Sequence, residues 1–233
     1  MSHALPPAFT DILVVQAHPD DAEHGMAGTV ARWTREGRRV HYLLCTSGDK
    51  GSADPHARPS DVARQREAEQ REAGRRLGLA SVQFLGRPDG ELEVSLAFRA
   101  EVTAVIRAVR PQLVATFDPW RPYQLHPDHR AVGQVTLDAV IAARDPLYYP
   151  EQRRDGLEAY RVREVWLWST DQPDVWIDIT DTLELKLHAL QAHVSQLGDW
   201  TARAERIRER ARAVGSRYGV AYAEEFKRLV LLG

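Results

Sequence analysis

Four short apolar runs, at 12–15, 40–45, 82–85 and 113–117, are each followed by an amphipathic stretch long enough for a helix, and this alternation limits the fold more than any other feature. The helical spacing covers 22–36, 62–77, 97–109 and 128–143, with Pro111 closing the third stretch. Strand followed by helix, repeated, predicts an α/β fold: a mostly parallel sheet with helices on both faces. Beyond it, 145–160 reads as an irregular connection before strands at 165–168 and 175–179. Helices are expected at 183–196 and 201–214, and a last apolar run at 229–232.

Residues 17–24 read Ala-His-Pro-Asp-Asp-Ala-Glu-His at the end of the first run, and His126-Pro127-Asp128-His129 follows the fourth. Ligands of open α/β sheets collect beyond the carboxyl ends of the strands, so both segments reach one crevice. Two histidines and a carboxylate leave coordination positions for water and substrate, as in a catalytic zinc site, and the same donors suit ferrous iron. His18, Asp21 and His129 are the ligands on this reading, although His126 carries the same donor atoms as His129. Asp20 is then free to take a proton from water, while His126, oriented by Asp128, can protonate a leaving group. Such a set predicts metal-assisted hydrolysis. His-Pro-Asp also occurs as a plain turn, but two copies, each after a parallel strand, point to a shared role. Glu23 either supports a ligand histidine or stabilises the helix start by its charge, and His24 reads as a surface or supporting residue.

Composition excludes several classes. The 43% hydrophobic content supports a core, and a formal charge of −2 without a polybasic block argues against nucleic-acid binding. Cys45 is the single cysteine, which rules out an internal disulfide or a thiolate cage and fits a reducing cytoplasm. No apolar run approaches membrane-spanning length. Gly25-Met26-Ala27-Gly28 does not match a G-x-G-x-x-G nucleotide loop.

Over nearly its whole length, read as one domain from 1 to 233, the chain resembles the LmbE/PIG-L family of zinc-dependent N-acetylglucosaminyl deacetylases. The markers are AHPDDAEHGMAGT at 17–29, CTSGDKGS at 45–52, RQREAEQREAGRRLG at 64–78, PDGEL at 88–92, HPDHRAVG at 126–133 and IDITDTLELKLHALQAHVSQ at 177–196. The first and fifth are the specific ones. The resemblance implies a Rossmann-like fold, His18, Asp21 and His129 as metal ligands, Asp20 as base, and His126 paired with Asp128 as acid. It also implies a sugar-facing Arg66, from an Arg-x-x-Glu motif, and a second arginine ahead of the strand at 165, best matched by Arg161 with Arg163 as rival. The loop 118–123 is similar to that of the N,N′-diacetylchitobiose deacetylases, so Trp120 and Tyr123 either stack on a pyranose or serve as core aromatics. His193 is expected to be structural.

The implied activity is hydrolysis of an acetamide on a small amino-sugar substrate or its conjugate, releasing acetate, by a homo-oligomer carrying Zn2+ or Fe2+. Competing readings are another mononuclear metallohydrolase, acting on an amide or phosphate ester, and a non-catalytic sugar-binding member of the fold.

Overall fold

The computed structural model describes residues 5, 6 and 8–231. Leu232 of the expected terminal run, and residues 1–4, 7 and 233, lie outside the described residues. The strands are β1 (Asp11–Gln16), β2 (Arg39–Thr46), β3 (Ser81–Arg87), β4 (Leu113–Phe117), β5 (Glu164–Trp168), β6 (Val175–Asp178) and β7 (Ala223–Val230). The helices are α1 (Asp21–Arg35), α2 (Pro59–Leu77), α3 (Leu96–Val109), α4 (Pro127–Arg144), α5 (Pro150–Arg154), α6 (Leu183–Leu190) and α7 (Trp200–Tyr218).

The sheet has seven strands in the order β3-β2-β1-β4-β5-β7-β6. β1, β2, β3, β4 and β5 pair in parallel, and β7 runs antiparallel between β5 and β6. The chain order reverses between β1 and β4, which opens the crevice where such folds place their ligands. Every residue of β1, β4 and β5 is buried, as helices on both faces require. This is the mostly parallel α/β architecture that the strand and helix alternation predicts, in the Rossmann-like form that the resemblance implies.

The differences have local causes. The helix expected over 183–196 stops at Leu190 because Ser195 is bonded to α2. Its N–H and hydroxyl both donate to the Glu69 carboxylate, at 2.9 and 2.7 Å, drawing the chain into a short 3-10 turn at Val194–Gln196. Pro150 starts the short α5 inside the segment expected to be irregular. β7 begins well before the apolar run, since Glu224, Lys227 and Arg228 interrupt its pattern. Glu224 is nevertheless buried. It accepts from Lys186 Nζ at 2.6 Å and from the N–H groups of Gly28 and Thr29 at 3.2 and 2.7 Å, and Lys186 also donates to the His24 carbonyl at 2.8 Å. An ion pair thereby ties β7 and α6 to the middle of α1. Gly25 and Gly28 lie inside α1, packed on Trp168 and Ile179, and form no phosphate loop.

Candidate metal centre

His18 leaves β1 just before α1, and Pro127 at the first position of α4 puts His126 ahead of that helix and His129 in its first turn. β1 and β4 are neighbours in the sheet, so the two segments meet at the strand-order reversal. Ring nitrogens of His18, His126 and His129 lie within 4.8 Å of one another. Asp21 bridges two of these rings, with Oδ2 at 3.3 Å from His18 Nδ1 and Oδ1 at 3.2 Å from His129 Nε2. The His126 and His129 rings stack at 4.4 Å, and Phe117 stacks on the other face of the pair's His129 at 4.1 Å. Imidazole nitrogens and a carboxylate oxygen converging without thiolates form a donor set that fits a zinc or ferrous ion.

Burial works against charge on His18, but the carboxylates of Asp128, Asp21 and Asp89 outweigh it and raise its pKa to about 11. Burial would likewise raise the pKa of Asp21, yet hydrogen bonds from His129 and His18 hold it far below the usual carboxylate range. Asp20 behaves in the opposite way. Burial, with the like charge of Asp21, pushes it up to about 7, against the pull of Arg66 and His18. His126 is lowered by burial and by the neighbouring His129 and His18 rings, which favours the neutral imidazole.

Asp20 sits in the left-handed region, φ 85° and ψ −15°, a conformation that costs a non-glycine residue about 1–2 kcal/mol. Its side chain caps no α1 amide, which leaves the carboxylate available. Two buried side chains hold the turn. Gln70 accepts from the Asp20 N–H at 3.1 Å and donates to Glu23 at 2.8 Å, while Arg66 donates to the Pro19 carbonyl at 2.8 Å.

Arg66 lies beneath the Asp20 turn, not open to the crevice. It is only 5% exposed, donates also to the Gly48 carbonyl at 3.1 Å, and comes within 3.8 Å of Asp20 Oδ1. The expectation of a substrate contact is replaced by a brace beneath the Asp20 turn. Gly48, at φ +65°, and Gly51 form its cradle: a Cβ would stand 2.1 Å and 2.3 Å from the guanidinium. Gly48→Ala is expected to destabilise by about 1–2 kcal/mol through its backbone alone, and to lower turnover by displacing Arg66. Denaturant unfolding and steady-state kinetics check this; an unchanged midpoint with unchanged kcat refutes the cradle.

Asp128 also takes a different position from the one expected. Its carboxylate accepts from the N–H groups of Gly90 and Leu92 at 2.7 and 3.2 Å and meets His18 Nε2 at 3.0 Å, so it braces His18, and its effect on His126 is one of charge alone. Arg161 is exposed ahead of the amino end of β5, and Arg163 bonds the Gln112 carbonyl at that same edge. β5 runs parallel to β4, so both arginines lie at the sheet edge opposite the histidines, which removes them from the site. Trp120 and Tyr123, 63% and 95% exposed, are not core residues; they stand on the loop that leaves the carboxyl end of β4.

The sequence reading missed Asp89. Its Oδ1 lies 3.0 Å from His18 Nε2, and the PDGEL segment that supplies it was visible only as a marker of resemblance. Glu23 is fully buried and pushed up to about 8, chiefly by burial, with Oε2 at 3.7 Å from His193 Nε2. His193 is buried with neither ring nitrogen hydrogen-bonded, and burial lowers it to about 3. His24 lines the cleft beside Asp21 and is exposed to solvent.

The family model for PIG-L, described as GlcNAc-PI de-N-acetylase, matches residues 13–140. The chain belongs to the PIG-L family. Among PIG-L relatives it is 34% identical to the diacetylchitobiose deacetylase of Thermococcus kodakarensis, over 91% of this chain and 80% of that protein. It is 32% identical to the 1D-myo-inositol 2-acetamido-2-deoxy-alpha-D-glucopyranoside deacetylase of Actinosynnema mirum, with 81% of each chain covered. The solved structure of N,N′-diacetylchitobiose deacetylase from Pyrococcus horikoshii, bound to its inhibitor MPG, superposes with a TM-score of 0.89 at 32% identity. That match covers 95% of this chain and 84% of the other. The region matched to the family contains both histidine segments, 18–21 and 126–129.

Proposed function

We propose that this chain, as a single domain over 1–233, is a zinc-dependent hydrolase that removes the acetyl group from an N-acetylglucosamine-type amino sugar or its conjugate. One observation carries the reading: Asp20, with a carboxylate that caps no α1 amide, stands beside Asp21 and the three convergent imidazoles at the strand-order reversal. The named activities of the PIG-L relatives support the choice of an acetamide on an amino sugar.

His18, Asp21 and His129 would hold the ion, which supplies Lewis acidity toward the acetamide carbonyl and toward a water when bound. The protein's own groups do the remaining work. Asp20 takes the proton of the attacking water, for which a pKa near the working pH is well matched. His126, neutral at rest, donates its N–H toward the carbonyl oxygen as negative charge develops there. That charge raises the basicity of His126, so the proton that Asp20 took from the water can pass, directly or by way of His126, to the departing amine as the C–N bond breaks. Asp128 and Asp89 fix the orientation of His18 from behind, the usual role of carboxylates on ligand histidines. Trp120 and Tyr123 offer faces for a pyranose at the mouth of the crevice, supported by their exposure and their loop's likeness to the chitobiose branch.

Among the described residues no helix is long and apolar enough to cross a membrane. A cytoplasmic setting, supported by the single buried Cys45, belongs to the same proposal, as does a homo-oligomer, which sedimentation would check.

Acetate release from a panel of N-acetylated sugars tests the whole reading. Activity is expected to fall at least a hundredfold with chelator and to return with zinc. Chelator-insensitive release, or none from any N-acetyl sugar, would sink it.

A further inference from the structure

The crevice continues beyond the histidines. A cavity of about 640 Å³ runs from Asp21 and His129 to the face of α7, where Arg203, Arg206 and Arg210 line it together. Spacings of three and seven residues put these guanidiniums on one helix face, spread over about 10 Å of axis at 1.5 Å per residue. None of the three forms an ion pair among the described residues. Other arginines of α7 do find partners: Arg208 pairs with Glu184 at 3.1 Å, Arg217 with Glu225 at 2.6 Å, and Arg212 bonds the Tyr222 hydroxyl at 3.4 Å.

The acidic residues of the cavity's far wall are engaged elsewhere. Glu224 holds Lys186 and two α1 amides, and Glu225 accepts from Arg217 and from the Tyr218 hydroxyl. Three cations, two of them on exposed side chains, therefore face a space that opens on the proposed reaction centre, with no carboxylate paired to them among the described residues. Arg203 is close enough for its charge to act on both Asp20 and His24.

We propose that Arg203, Arg206 and Arg210 form an anion subsite that takes a carboxylate or phosphate carried by the non-acetylated part of the substrate. This rests on the deacetylase reading and narrows it to acidic conjugates of N-acetylglucosamine. Arginine is suited to the task because its planar fork binds both anions through paired hydrogen bonds. A neutral sugar would leave all three guanidiniums facing water across the cleft, while an acidic aglycone engages them and positions the acetamide at the opposite end.

The test uses three glycosides of N-acetylglucosamine with one linker: 2-carboxyethyl, 2-phosphoethyl and 2-hydroxyethyl. Wild-type kcat/KM is expected to favour the acidic glycosides over the neutral one by about tenfold or more, mainly through KM, with the preference shrinking as salt rises. The two acidic probes distinguish carboxylate from phosphate as the preferred anion. The double variant Arg206→Glu/Arg210→Glu should abolish or invert the preference. Arg212→Gln, on the same helix but outside the cavity, should preserve it. Equal turnover of the three glycosides by wild type, or a preference that survives the double reversal, overturns the subsite. Should none of them be hydrolysed, the deacetylase reading falls, and calorimetric titration of the same three compounds still decides the subsite. Tighter binding of the acidic pair that the reversal removes upholds it, and equal binding refutes it.

Discussion

Asp20→Asn is expected to lower kcat about a thousandfold while leaving metal content unchanged. General-base catalysis contributes a factor of about 10²–10⁴, and Asp20 lacks the capping bond that would tie its carboxylate to α1. Asparagine retains the size, the tolerance of left-handed backbone and the N–H to Gln70, so the turn should survive. Metal analysis and circular dichroism alongside steady-state kinetics separate the outcomes. Loss of turnover with metal retained assigns the base. Loss of metal would make Asp20 a ligand, and near wild-type turnover would dismiss it from the reaction.

The largest stability effect is expected at Glu224. Removing one member of a buried, hydrogen-bonded ion pair costs about 3–5 kcal/mol, because the remaining charge is left without a partner. Glu224→Ala strands Lys186, whose side chain is 5% exposed, and also leaves the Gly28 and Thr29 amides without their acceptor. For a domain of this size the thermal midpoint should fall by about 10 °C. Lys186→Met with Glu224→Leu should recover part of the loss, since an apolar pair carries no desolvation penalty. A fall of no more than a degree or two for Glu224→Ala would show that the pair is readily solvated.

Both effects depend on residues whose roles could not be seen equally well in the chain. The parallel half of the sheet was legible because 12–15 and 113–117 are uninterrupted apolar runs, as strands covered on both faces must be. The antiparallel strand β7 was not, because its charges are satisfied by Lys186, Arg217 and Arg228's partner Glu164 across the fold, and no local pattern encodes such pairings. At the site, His18, Asp20, Asp21, His126 and His129 could be singled out because their segments are short and chemically dense. Arg66 and Asp128 were visible as residues but misread in direction. Whether an arginine points into a cleft or under a turn depends on Gly48 and Gly51, eighteen and fifteen positions earlier in the chain. Asp89 and the α7 arginines come from segments with no histidine to draw attention to them, and only the topology brings them to the crevice.

The position of β7 has a consequence for the order in which the molecule can be assembled. It is the last of the described strands in the chain, yet it lies between β5 and β6, and β6 pairs with no other strand. During synthesis the five parallel strands can associate as they emerge, whereas β6 must wait for a neighbour that follows it by more than forty residues. Glu224 travels on that late strand, so Lys186 meets its counter-charge only when the sheet closes. Until then α1, which carries Asp21, lacks the acceptor for its Gly28 and Thr29 amides. A nascent chain stalled before residue 223 should thus display a protease-sensitive segment between β5 and α7 beside an already protected parallel core.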